Sequence, residues 1–198
     1  MADILYTYKN NVYVNLTNHC SCNCTFCIRQ HKNEVNGQND MWHETEPTII
    51  QVKNAIDAFD FDGYEELIYC GYGEPTCALE ALIESAKYFR EKHTQRIRVN
   101  TNGLGRLYYG RDILPELNQV VDAYSISLNA PTSERYKELV RPSFKNAFPA
   151  VLDFARDSKD AGKEVQFSVV NVISEEEIKQ CSKLADKMGI HLKVREYV

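Results

Sequence analysis

Short β-rich runs alternate with segments of helical periodicity about six times along this chain, and that alternation strongly limits its fold. Repeated strand–helix units build a parallel sheet with right-handed crossovers. Six units are fewer than the eight that close a full barrel. We therefore predict an α/β fold: a partial (βα)6 TIM-like barrel of parallel strands, with an N-terminal β extension. The predicted strands cover residues 4–8, 12–16, 66–70, 96–100, 122–128, 164–172 and 191–197.

Length and charge limit the classes of protein that the chain can represent. Its 198 residues suffice for one domain with a substantial core, and we predict a single domain over residues 1–198. No apolar run approaches the roughly 20 residues that span a bilayer, and residues 1–6 lack a secretion-signal layout. We expect a cytoplasmic protein without a membrane partner. The net charge of −5 argues against a nucleic-acid partner, which would need clustered Lys and Arg.

Four of the seven cysteines lie within eight residues, directly after the strand predicted at 12–16. In a cytosolic chain such crowding indicates metal or redox chemistry more than disulfides. Cys20, Cys24 and Cys27 form a C-x3-C-x2-C pattern. Cuboidal 4Fe–4S clusters normally take four cysteine ligands. Three thiolates would leave one iron open, as a catalytic zinc keeps one position free.

Two other interpretations of the cysteines stay open. A zinc-binding module would use Cys20, Cys22, Cys24 and Cys27, although alternate-residue cysteines rarely form paired zinc knuckles. An electron-transfer protein would bind a four-cysteine cluster. In the leading interpretation, a 4Fe–4S cluster bound by Cys20, Cys24 and Cys27, Cys22 is a spare thiol.

The remaining cysteines have structural interpretations. Cys70 closes an apolar strand and Cys181 lies on an apolar helical stripe, so both are predicted to be small core residues. Cys77 lies near a predicted helix N-terminus, where the pKa of a thiol can fall. A structural role is favoured there because no second cysteine pairs with it locally.

A glycine-rich segment, Gly71-Tyr-Gly-Glu-Pro75, follows the strand predicted at 66–70. Two glycines allow the backbone to approach a ligand closely, and carbonyls near a carboxylate suit a protonated amine. A plain strand-to-helix turn is the alternative, since Gly and Pro serve it equally well.

The cysteine pattern after the first parallel strand and the G-x-G-E-P segment after the second resemble the radical SAM superfamily. The resemblance implies that Cys20, Cys24 and Cys27 bind a 4Fe–4S cluster and that S-adenosylmethionine (SAM) chelates the open iron. It further implies that Phe26 packs near the adenine and that Gly71, Gly73 and Glu74 contact the methionine amino group. The other implied SAM contacts are Asn100, Thr101, Ser127, Asn129 and Val170.

The chemistry implied by the resemblance is reductive. A flavodoxin or ferredoxin would supply one electron, and SAM would be cleaved to methionine and a 5′-deoxyadenosyl radical that abstracts hydrogen from an unidentified substrate. A small molecule and a protein loop are both open as substrates. Segments 4–8, 27–30 and 194–198 look like those of the short TatD-associated radical SAM proteins. A polar loop at about residues 31–46, which includes Trp42, is expected over the rim formed by the carboxyl ends of the parallel strands, where the cysteine loop and the glycine-rich segment also lie.

Overall fold

The structure, a computed structural model, describes residues 3–30 and 41–197 as one seven-stranded sheet with the strands in chain order. β1 and β2 form an antiparallel hairpin, and β2 through β7 are all parallel. The predicted α/β architecture with six parallel strands and an N-terminal β extension is therefore confirmed. The strands are β1 Leu5–Tyr8, β2 Asn11–Val14, β3 Glu66–Tyr69, β4 Arg96–Thr101, β5 Ala123–Ser127, β6 Glu164–Val170 and β7 His191–Arg195.

Seven α-helices and two 3-10 turns connect the strands in the described part of the chain. Two helices begin with capping boxes, in which Thr48 pairs with Gln51 and Ser174 with Glu177. The second of these is recognisable in the sequence as Ser174-Glu-Glu-Glu177. The helices are α1 Ile49–Ala58, α2 Leu79–Lys92, α3 Gly105–Tyr109, α4 Leu114–Leu117, α5 Ser133–Val140, α6 Ala147–Asp160 and α7 Glu175–Lys187; the 3-10 turns are Ile28–Gln30 and Pro75–Ala78.

The two faces of the sheet differ in chemistry because successive strand side chains point to opposite sides. One face packs under the helices in the main apolar core, which includes Val14, Tyr69, Val99 and Ile126. The Tyr69 hydroxyl reaches Ser85 of α2 at 2.8 Å. Polar side chains alternate with these core residues along the same strands and face the other side. On this second side, Tyr6, Met41 and Tyr72 form a small buried cluster that is separate from the main core.

The barrel is incomplete. In the described residues β1 pairs only with β2 and β7 only with β6, so the sheet has two open edges.

β7 is mostly exposed and ends at Arg195, two residues before the predicted end at 197. α6 begins at Ala147, and the preceding Pro142 and Ser143 bond to the cysteine loop. No helix of the described segments is long and apolar enough to cross a bilayer.

Candidate functional site

The cysteine loop leaves the carboxyl end of β2 and is held against the end of α5. Asn23 N donates to Val140 O at 3.1 Å, and Thr25 N donates to Leu139 O at 2.8 Å. Cys20, Cys24 and Cys27 are partly buried, while Cys22 belongs to the apolar core with 6% of its surface exposed. The packing of Cys22 therefore agrees with its interpretation as a spare thiol.

The thiols of this loop influence one another. Burial raises the pKa of Cys24 to about 12, with further increases from the nearby Cys20 and Cys27. A hydrogen bond from Cys22 lowers the pKa of Cys20. The Arg29 guanidinium, whose Nη1 donates to Asn18 O at 3.0 Å, further lowers the pKa of Cys20 and weakly opposes the increase at Cys24. Because thiolate is the form that binds metal, a bound metal would have to displace the protons of these buried thiols.

The donor set fits an iron–sulfur cluster, which takes cysteine thiolates as its ligands. Among residues 3–30 and 41–197, no three His, Cys, Asp or Glu side chains are grouped so as to hold one metal ion. Three thiols spread along one loop suit a cluster, in which each cysteine binds a different iron.

Glu74 is the buried acid of the site. Its Oε1 accepts hydrogen bonds from Thr76 N, Thr76 Oγ1 and Thr101 Oγ1, and its Oε2 accepts one from Asn102 N at 2.7 Å. Burial raises the pKa of Glu74, although these hydrogen bonds act in the opposite direction. The carboxyl therefore ties the segment after β3 to the end of β4.

Both glycines of the motif lie against the chain that follows β2. A Cβ on Gly71 would meet Asn15 Oδ1 at 2.0 Å, and a Cβ on Gly73 would meet Thr17 O at 2.2 Å and His19 O at 2.6 Å. The Glu74 N–H also donates to His19 O at 2.7 Å. Glycine therefore lets the segment after β3 lie close to the Asn15 side chain at Gly71 and to backbone carbonyls at Gly73.

Asn102 connects the two halves of the site. In the sequence it belongs to Thr101-Asn-Gly103, which is a turn signal. Its Nδ2 donates to Ser21 Oγ at 3.2 Å and approaches the sulfurs of Cys22 and Cys20 at 3.6 and 3.9 Å. Its backbone N–H bonds to Glu74. The Asn at the end of a strand in the predicted parallel sheet was the available signal, because such ends gather at one rim.

A cavity of about 710 Å³ opens beside Cys20, large enough for a cofactor-sized molecule. Of the polar loop predicted at residues 31–46, residues 31–40 lie outside the described residues. Trp42, His43, Glu44 and Glu46 line the cavity together with Asn18, His19, Cys20, Asn23 and Arg29.

A family model for the radical SAM superfamily matches residues 14–188, which include both motifs and the strands β3 to β6. The chain belongs to the radical SAM superfamily. As a radical SAM protein, it is 25% identical over 171 residues to a curated relative from Methanocaldococcus jannaschii, named provisionally as a glycyl-radical enzyme activating enzyme. That alignment covers 83% of this chain and 64% of the relative, so the chain spans less than two thirds of the relative's length.

Solved structures of other proteins share the radical SAM fold seen here. Streptococcus suis SuiB bound to its precursor peptide SuiA superposes with a TM-score of 0.71 at 14% identity, over 98% of this chain and 40% of SuiB. Methylornithine synthase (PylB) gives a TM-score of 0.66 at 14% identity, over 95% of this chain and 53% of the synthase. AdoMet-bound anSMEcpe gives 0.61 at 19% identity, over 94% and 50%.

Besides the cysteine loop, the SAM contacts expected for a radical SAM protein lie at the ends of four strands, β3 to β6. Thr101 is buried and bonds to Glu74, whereas Asn100 contacts the Cys70 thiol and leaves its buried Oδ1 without a partner among the described residues. An acceptor of this kind suits a ligand N–H. Ser127 lies opposite Ser168 on β6, and Val170 lies opposite Arg195 on β7.

Two further expected contacts have packing roles in the structure. Asn129 is buried, adopts a left-handed φ of 56°, and its N–H donates to Ser168 O at 3.3 Å. Phe26 is partly buried against the main core. Among the described contacts, Glu74 bonds to Thr101 but to none of Ser127, Asn129 or Val170.

One of the predictions for the other cysteines needs correction. Cys181 is a core residue, as predicted. The prediction that Cys70 is a core residue is wrong, because strand alternation places its side chain on the polar face of the sheet, where it contacts Asn100. Burial raises the pKa of Cys77 to about 12, and Glu74 adds to the increase, which agrees with the favoured structural role and not with a reactive thiol.

Replacing Glu74 by alanine should lower the free energy of unfolding by about 2 kcal/mol, since buried donors of Thr76, Thr101 and Asn102 would lose their acceptor. We also expect weaker SAM binding with the cluster retained. Urea unfolding and equilibrium dialysis of SAM measure the two effects. Glu91→Ala, at an exposed position of α2, is the control; equal unfolding midpoints for the two variants would contradict the prediction.

Proposed function

We propose that this chain is a radical SAM enzyme, in which Cys20, Cys24 and Cys27 bind a 4Fe–4S cluster that reductively cleaves SAM. One observation carries the proposal: the three-thiol loop after the first parallel strand is joined through Asn102 to the buried Glu74 after the second. This joins the two motifs of the radical SAM family at one rim of one sheet.

The bound cluster and SAM would supply the radical chemistry, while the chain's own residues bind and orient them. The end of α5 fixes the backbone of the cysteine loop, and Arg29 favours negative charge on its sulfurs. Glu74 positions Asn102, whose amide lies beside Cys20. Asn100 offers a buried oxygen on the polar face of the sheet, without a partner in the described segments.

The proposed SAM contacts keep the residues expected from the sequence, with Glu74 and Asn100 supported most directly by the geometry. Within the described residues Glu74 Oε2 has one donor, so it can accept a second hydrogen bond from a protonated amine. The full proposed set is Phe26, Gly71, Gly73, Glu74, Asn100, Thr101, Ser127, Asn129 and Val170.

Anaerobic reconstitution tests the proposal. We expect about four iron and about four sulfide per chain, and formation of 5′-deoxyadenosine and methionine from SAM when dithionite is added. Zinc without sulfide would support the binding module instead. A cluster that forms without any cleavage of SAM would indicate an electron carrier.

For the substrate, the relative from M. jannaschii favours a protein loop over a small molecule. An open-edged barrel has room for an extended segment of another protein. Deuterium transfer into 5′-deoxyadenosine from a protein with deuterated glycine would support this class, whereas transfer only from deuterated small molecules would exclude it.

Two narrower statements belong to the same proposal. The segments at 4–8, 27–30 and 194–198 support placing the chain among the short TatD-associated radical SAM proteins. The continuous seven-stranded sheet supports a single radical SAM domain over residues 1–198.

A further inference from the structure

A second cavity, of about 460 Å³, lies where α5 ends and α6 begins. Its lining contains three cations and no carboxylate. The lining residues are Lys137, Arg141, Pro142, Ser143, Phe144, Lys145 and Asn146. We refer to this site as the basic cavity.

The positive charges of the basic cavity are not neutralised by neighbouring acids of the described structure. Lys137, Arg141 and Lys145 are exposed, and none forms an ion pair within residues 3–30 and 41–197. The nearby Arg135, in contrast, pairs with Glu138 at 3.0 Å and with Glu177 at 2.7 Å. In a chain of net charge −5, this cluster creates a local positive potential that attracts an acidic partner.

The wall of the basic cavity is bonded directly to the cysteine loop. Asn23 N donates to Arg141 O at 3.2 Å, Ser143 N donates to Ser21 O at 2.9 Å, and Cys22 forms an isolated β-bridge with Pro142. Arg141 adopts a left-handed φ of 47° in making these contacts. Backbone hydrogen bonds therefore connect the wall of the basic cavity directly to residues 21–23 of the cysteine loop.

We propose that the basic cavity is the docking surface for an acidic electron-transfer protein of the flavodoxin or ferredoxin class. The inference rests on the proposed function, which requires one electron from outside. The reduced donor is oxidised by one electron and the cluster is reduced by one, with no bond formed or broken. Hydrogen bonds from the cavity wall to residues 21–23 give the electron a short route, and complementary charge raises the rate of encounter.

The test compares Lys137→Glu/Lys145→Glu with Lys183→Glu/Lys187→Glu. The control lysines are exposed on α7 and form no ion pair in the described part of the chain, so both double variants change the net charge equally. Each reconstituted protein is mixed with a reduced flavodoxin or a reduced ferredoxin at low salt, and cluster reduction is followed by stopped-flow absorbance. Dithionite reduces parallel samples, because a small reductant needs no docking surface.

We expect the cavity variant to be reduced at least about tenfold more slowly than wild type by one or both donors. The difference should shrink at high salt, and dithionite-driven 5′-deoxyadenosine formation should be unchanged. The affinity of the donor for cluster-free protein, measured by surface plasmon resonance, should fall in the cavity variant and not in the control.

Equal reduction rates in the two double variants would overturn the docking proposal, as would a wild-type protein that reacts with dithionite but with neither donor. Binding of inorganic phosphate that is lost in the cavity variant while reduction stays normal would identify a small-anion site instead. If dithionite gives no 5′-deoxyadenosine even with wild type, the proposed function fails, and the donor affinities still report on the surface.

Discussion

Replacing Cys24 by alanine is expected to leave the reconstituted protein without its cluster and without detectable cleavage of SAM. Cys24 is the middle donor of the proposed trio, and burial together with the neighbouring Cys20 and Cys27 raises its pKa. Two remaining thiols cannot anchor three corners of a cubane. Iron and sulfide analysis after anaerobic reconstitution, followed by chromatography of 5′-deoxyadenosine, measures the loss.

Cys22→Ala is the matched control for Cys24→Ala, because it removes a thiol from the same loop. Cys22 packs in the apolar core and bridges to Pro142, so its replacement should cost stability but keep about four iron per chain. Comparable iron loss in the two variants would show that the ligand assignment is wrong.

Gly73→Ala is expected to destabilise the protein by about 3 kcal/mol or more, a large part of the stability of a domain this size. The new Cβ would lie 2.2 Å from Thr17 O and 2.6 Å from His19 O, and backbone atoms cannot rotate away as a side chain would. Relief of the clash would also break the hydrogen bond from Glu74 N to His19 O. Urea unfolding followed by circular dichroism measures the change.

Gly63→Ala is the control, because it introduces the backbone strain of a left-handed alanine without a steric clash. Gly63 has a φ of 83° and open space around its Cα, whereas Gly73 has an ordinary φ and no space. The Gly63 variant should lose only about 1 kcal/mol, the cost of a left-handed alanine. A Gly73 variant no less stable than the Gly63 variant would mean that the backbone contact does not exist as described.

Much of the fold follows from local pattern. Apolar residues alternate along the strands because one face packs under helices, and the succession of such strands with helical segments predicted the parallel sheet. The Ser174–Glu177 capping box is also local, because both hydrogen bonds join residues three apart. The C-x3-C-x2-C spacing and the G-x-G-E-P segment are each continuous along the chain, so the order of residues alone was enough to recognise them.

Local sequence patterns could not predict the contacts between segments that are distant along the chain. Asn102 reaches the sulfurs of residues 80 and 82 positions away, and no local periodicity encodes that distance. The glycines at 71 and 73 could serve a ligand or a packed chain equally well, until the position of residues 15–19 showed what lies against them. The face on which Cys70 lies depended on the strand register, where a shift of one residue reverses every side chain.

The amino-acid sequence by itself determined the order of strands and helices, the two motifs and the kind of chemistry that they imply. Only the tertiary structure decided that Asn102 joins those motifs and that the buried Glu74 accepts four hydrogen bonds. It also decided that three cations, without an ion pair in the described residues, line the basic cavity next to the cysteine loop. The physical reason is that periodicity and spacing are properties of neighbours along the chain, whereas burial and charge clustering arise when remote segments pack together.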